Sequence, residues 1–87
     1  MELPMYTLGS LKMMEVIDIK TGTKLGYIKD IIIDLSNYKI ESIVLPSKKV
    51  TWFGKNNDLE LPWERIKKIG VDVILVDGSD LIIDMKQ

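Results

Sequence analysis

Short runs of β-branched and aliphatic residues, cut off at close intervals by glycine, proline, asparagine or serine, restrict this chain to a small shell of strands. Residues 13–20, 25–35, 40–45, 71–77 and 81–86 read as strands, with shorter extended pieces at 50–53 and 59–61. Between them lie three turn signals. Thr21-Gly22-Thr23 offers Gly22 for a positive φ, Ser36-Asn37-Tyr38-Lys39 offers Asn37 as the left-handed residue, and Gly54-Lys55-Asn56-Asn57-Asp58 is loop-like throughout. Pro46 ends the strand before it. Trp63, Ile66 and Ile69 recur in steps of three after Pro62, which predicts a short helical turn over 62–69 ended by Gly70. The expected fold class is all-β, a small barrel of about six short strands with one short helical turn, because closure removes sheet edges. Residues 1–87 read as a single domain. Within it, 1–9 form an irregular lead-in interrupted by Pro4 and Gly9, and 78–87 extend the chain by one more strand.

The longest strand carries a conflict of period. Ile31, Ile33 and Leu35 share one face, whereas Ile28 falls on the parity of Asp30 and Asp34. A bulge near Lys29 and Asp30 would return Ile28 to the buried face with Ile31 and Ile33, and would bend the strand as a small barrel requires.

Composition narrows the chemistry. A chain of 87 residues buries roughly 60–65% of the surface of its unfolded form, so the core is thin. Yet 46% of the residues are hydrophobic, and a small domain this apolar is expected to leave some of them uncovered until a second copy or a protein partner covers them. With 12 basic and 13 acidic residues intermixed, the chain lacks the basic footprint of a nucleic-acid binder. It has no cysteine, which excludes disulfides and thiolate metal sites and suits a cytoplasmic location. It has no histidine, the commonest metal ligand and the usual acid–base residue near neutral pH. The N-terminal stretch lacks a basic region and a continuous apolar core, so it does not read as a secretory signal, and neither Ile31-Ile32-Ile33 nor Ile43-Val44-Leu45 approaches the ~20 residues of a membrane span. No enzyme activity, cofactor or metal is expected.

The candidate sites are few. Asp30 and Asp34, four apart on a strand, could present paired carboxylates, but solvent-facing or turn-capping roles account for both. Asp77, Asp80 and Asp84 lack the residue order of a calcium loop. Trp52 and Phe53 are neighbours on a strand and point to opposite faces, so one can enter the core while the other anchors a contact. A loop folding back to pack both inside is the equal alternative. With Lys48 and Lys49 they form the candidate interaction surface. Lys55, Arg65, Lys67 and Lys68 widen the basic surroundings, and bases stacked on the aromatics would make it an RNA surface. A solvated face flanking sticky aromatics explains the same residues. Trp63, in step with Ile66 and Ile69, belongs to the core.

Gly22, Leu25-Gly26, Ile28, Asp30, Ile33-Asp34 and Lys39-Ile40, followed by Trp52-Phe53-Gly54, Leu61-Pro62-Trp63, Ile66, Ile69-Gly70 and Asp72-Val73-Ile74-Leu75-Val76, resemble PRC-barrel domains. The second half is similar to the stand-alone YlmC/YmxH-type sporulation family of Gram-positive spore formers. The resemblance covers roughly residues 11–76. It departs at Asn37, where the family often has glycine, at the short stretch 46–50 and at the extension 78–87. It implies a PRC-type barrel used as a non-enzymatic adaptor or assembly module, bacterial, associated with sporulation and expected to form a homodimer. The alternative it implies, by analogy with the barrel domain of the ribosome maturation factor RimM, is an RNA- or ribosome-associated assembly factor.

Overall fold

A capping box opens the first element. The Thr7 hydroxyl accepts from the Ser10 amide at 3.0 Å, and the Ser10 hydroxyl accepts from the Thr7 amide at 3.1 Å. These reciprocal bonds satisfy two amides of a short helix, α1 (Leu8–Lys12), and Leu11 anchors it by entering the core. The lead-in expected through Gly9 therefore ends at Thr7. A cap and one buried leucine outweigh the glycine's poor helix propensity.

The computed structural model describes residues 5–46, 58–78 and 80. Among the described residues seven strands follow α1: β1 (Glu15–Asp18), β2 (Lys24–Tyr27), β3 (Asp30–Asp34), β4 (Lys39–Leu45), β5 (Leu59–Pro62), β6 (Ile66–Ile69) and β7 (Val73–Val76). The strands expected at 81–86 and 50–53 lie outside the described residues. β1 to β7 form two sheets, ordered β2-β1-β7-β6 and β3-β4-β5. All pairs are antiparallel except β1 with β7, which run parallel from Glu15↔Val73 to Asp18↔Val76.

The fold is mostly β, as expected, but the described strands do not close into one barrel. Two corners of the chain join the sheets. At the first, the stretch expected as a single strand over 25–35 breaks between Tyr27 and Asp30, so that β2 edges one sheet and β3 the other. Ile28 turns into the core at this corner, and the Lys29 amide donates to the Val44 carbonyl at 2.7 Å. At the second, a 3₁₀ turn (Trp63–Arg65) carries the chain from β5 to β6. The helical turn expected over 62–69 is confined to those three residues, and Ile66–Ile69 is a strand.

The bulge expected near Lys29 and Asp30 is likewise replaced by the corner. The irregularity in this hairpin comes later, where Ile32 pairs with Ser42 but Ile33 pairs with Ile40, leaving Glu41 as the extra residue on β4. A second bulge interrupts β1–β2, where Val16 faces Gly26 and Ile17 faces Lys24. Gly26 sits there at φ +95°, and a Cβ on it would stand 3.3 Å from Pro46 Cγ at the end of β4. Glycine thus lets one sheet approach the other closely.

The core lies between the sheets. Val16, Leu25, Ile74 and Val76 reach in from one, Ile43, Leu45 and Leu61 from the other, and Leu11 and Met14 join from the α1 region. Trp63 packs against this cluster as expected, together with Ile31, Leu59, Ile66 and Ile69. Ile33 does not: it is 53% exposed, which corrects its expected place on the buried face.

Candidate interaction surface

The most unusual surface is the β3–β4 hairpin, and Asp34 builds its turn. One carboxylate oxygen of Asp34 accepts from the Ser36 amide at 2.9 Å and the Asn37 amide at 3.3 Å, and the other accepts from the Asn37 side-chain amide at 2.7 Å. The Asn37 side chain is the largest influence on this carboxyl; desolvation opposes it, but the two amides and nearby Lys39 add to the Asn37 bond and hold the pKa below its ordinary value. With Asn37 committed to Asp34, the left-handed position falls to Tyr38, at φ 54°, instead of the expected Asn37. Asp30 is also used locally, accepting from the Ile31 amide at 2.8 Å. Each of the two carboxylates therefore serves its own backbone.

Beyond the turn the two strands sort their side chains by face. Directly opposed residues of an antiparallel pair share a face. Ile31 opposes buried Ile43, and two residues on Ile33 opposes Ile40, while Asp34 opposes Lys39 on the other side. One face of the hairpin is thus aliphatic and continuous with the core, and the other is mixed, with Ile32 opposite Ser42, Asp30 opposite Val44 and Asp34 opposite Lys39. The aliphatic face runs out from under the second sheet. Ile31 still packs on the core, Ile33 is 53% exposed, Leu35 76%, and Tyr38 at the tip 88%. Ile33, Leu35 and Tyr38 are therefore uncovered close together in the chain, at the outer end of the hairpin.

The surface expected from sequence, Trp52 and Phe53 with Lys48 and Lys49, lies outside the described residues, as do Lys55 and Asp84. All but Asp84 fall in the connection between β4 and β5. Arg65 is taken up structurally: it clamps Asp80 with two bonds of 2.7 and 3.0 Å and donates to the Asp77 carbonyl at 3.2 Å, and Asp80 raises its pKa. Asp77 faces Lys20 at 3.5 Å. Among the described residues no group of three acidic side chains is placed to hold a metal ion. Among them, too, no helix is long and apolar enough to cross a membrane.

Asp18 went unnoticed in the sequence. It is fully buried on β1. One carboxylate oxygen accepts from the Gly78 amide at 2.9 Å, and the other accepts from the Thr21 amide at 2.9 Å and the Thr21 hydroxyl at 2.7 Å. Burial pushes its pKa up, but the Gly78 amide, the Thr21 hydroxyl and the Thr21 and Lys20 amides prevail and hold it below the ordinary value. Asp18 thereby ties the β1–β2 turn to the chain leaving β7. All of its bonds are structural, and none points at a reaction.

Comparison with known proteins agrees with this architecture. Residues 4–83 match the PRC-barrel domain. An uncharacterized protein of Clostridium acetobutylicum is 56% identical over 85 residues, spanning 97% of this chain and 98% of that protein. The probable sporulation protein YlmC of Bacillus subtilis is 40% identical over 78 residues, spanning 87% and 96%. YmxH of the same organism, uncharacterized, is 35% identical over 75 residues, spanning 80% and 86%. On a match this extensive, and on two small sheets wrapped about one aliphatic core, the chain belongs to the PRC-barrel domain family.

Proposed function

We propose that this chain is a non-enzymatic protein-interaction module of the PRC-barrel type that acts in sporulation, in the cytoplasm, and pairs with a second copy of itself through the β3–β4 hairpin. The observation that carries the reading is the exposure of Ile33, Leu35 and Tyr38 together at the outer end of one hairpin. Uncovered apolar patches on small domains mark contact surfaces. Two hairpins packed about a two-fold axis would bring the same patch against itself, so the surface is self-complementary in the way a symmetric dimer requires. The sporulation role is supported by the name of the Bacillus subtilis relative YlmC.

Sedimentation velocity across micromolar to millimolar concentrations tests the pairing. The expected result is a concentration-dependent dimer whose dissociation constant rises by at least about tenfold in Ile33→Asp/Leu35→Asp, with a matching melting temperature at concentrations where both proteins are monomeric, because both side chains are exposed. A strict monomer throughout rejects self-association, and a dimer indifferent to the double substitution rejects the hairpin. Deleting the gene in its spore-forming host and counting heat-resistant spores tests the role. An undiminished count rejects it.

A further inference from the structure

We infer that the outer edge of β6 is a docking site for an extended, acidic segment of a partner protein. β6 is an edge strand, paired only with β7 among the described residues. Beside it runs an open groove of about 360 Å³ lined by Tyr6, Trp63, Ile66, Lys67, Lys68 and Ile69. The strand is bulged here: Ile66 faces Val76, but the next pair is Lys68 with Leu75, leaving Lys67 as the extra residue. Strict alternation would send Lys67 and Lys68 to opposite faces. A bulge instead lets the two adjacent side chains leave on the same side, and Ile66 and Ile69 both turn back onto the core. The groove therefore has an aromatic and aliphatic floor and a rim of two adjacent ammonium groups.

Charge selects the occupant. Lys20, Lys29 and Arg65 each face a carboxylate, Asp77, Asp58 and Asp80 respectively. Lys67 and Lys68 are exposed and face none among the described residues. A segment bearing aspartate or glutamate would supply the missing partners and be steered to the groove by them. Backbone geometry selects its shape. The Tyr6 hydroxyl donates to the Ile69 carbonyl at 3.4 Å, long for an O–H···O bond, so that carbonyl is reachable from the groove and weakly held. An extended chain lying along β6 would displace Tyr6 with a backbone amide, set alternate apolar side chains on Trp63 and place its carboxylates by the lysines. This site is separate from the hairpin and does not depend on dimer formation.

The test uses the full chain and two fluorescein-labelled synthetic peptides of equal length, one alternating aspartate with valine, the other lysine with valine. The acidic peptide is expected to bind, to weaken as sodium chloride is raised, and to shift the amide NMR signals of β6 and Tyr6. Lys67→Glu/Lys68→Glu should weaken it by about tenfold or more, while Lys12→Glu leaves it unchanged. Matching melting temperatures would show that both variants fold, and the milder Lys67→Gln/Lys68→Gln should give an intermediate loss. Ile33→Asp/Leu35→Asp should bind the acidic peptide as the parent does, so failure of the hairpin and failure of this site are told apart. Equal binding of both peptides, no binding of either, or shifts confined to other strands would overturn the proposal. So would a uridine-rich RNA that displaces the acidic peptide and binds these lysines more tightly.

Discussion

Asp18 carries the sharpest consequence at the level of single residues. In the stretch Glu15-Val16-Ile17-Asp18-Ile19, the odd positions hold the two isoleucines and look like the inward face, yet the structure buries Val16 and Asp18 and leaves Ile19 at the surface. Alternation was legible and its direction was not. The direction is decided by Gly78 and Thr21, whose donors meet Asp18 from distant and neighbouring chain. Folding lowers the Asp18 pKa from its ordinary 3.8, so its stabilising effect is complete above that value and is lost as pH falls through the lower folded value. Urea denaturation should accordingly give a constant midpoint from pH 7 to about 5 and a falling one below about 4. Asp18→Asn should cost about 2–4 kcal/mol at pH 7, because one amide oxygen cannot satisfy three donors, and should flatten the acid limb. An unchanged midpoint would mean that water replaces the carboxylate.

At the level of elements, the bulges explain most of the differences between expectation and structure. Ile66 and Ile69 stand three apart, the spacing of a 3₁₀ turn, but a bulged strand also returns every third residue to one face, and β6 is such a strand. Period alone could not separate the two. The capping box was written in Thr7 and Ser10, with serine in place of the usual glutamate or glutamine, and Gly9 between them masked it. By contrast, β4 and β7 were readable because their aliphatic runs end at Pro46 and before Gly78. The β2 bulge depends on Gly26, which joins a positive φ to close contact with Pro46. Gly26→Ala should therefore destabilise the fold by about 1–3 kcal/mol in chemical denaturation. Gly22→Ala, with a positive φ but open space around it, should cost less.

For the molecule as a whole, an all-β shell about an aliphatic core was legible, whereas its division into two sheets was not, because a corner and a continuous strand use the same residues. The hairpin was visible as a pattern, but how far it overhangs the core is set by where the opposite sheet ends, which no local sequence records. Stability should follow this layout. Native-state hydrogen exchange is expected to find the central strands β1, β7 and β4 protected up to global unfolding, and the amides near Leu35 to Lys39 exchanging at least about a hundredfold faster. The measurement is made at a concentration where the chain is monomeric, and uniform protection there would show that the tip is covered within one copy. The parallel pairing of β1 with β7 has a temporal consequence. The first strand made can acquire that neighbour only after the last described strand has left the ribosome, and the Asp18–Gly78 bond spans 60 positions of sequence. A nascent chain must therefore hold β1 with one side unpaired until every strand between it and β7 has been made, so the contact that completes this sheet is among the last to form.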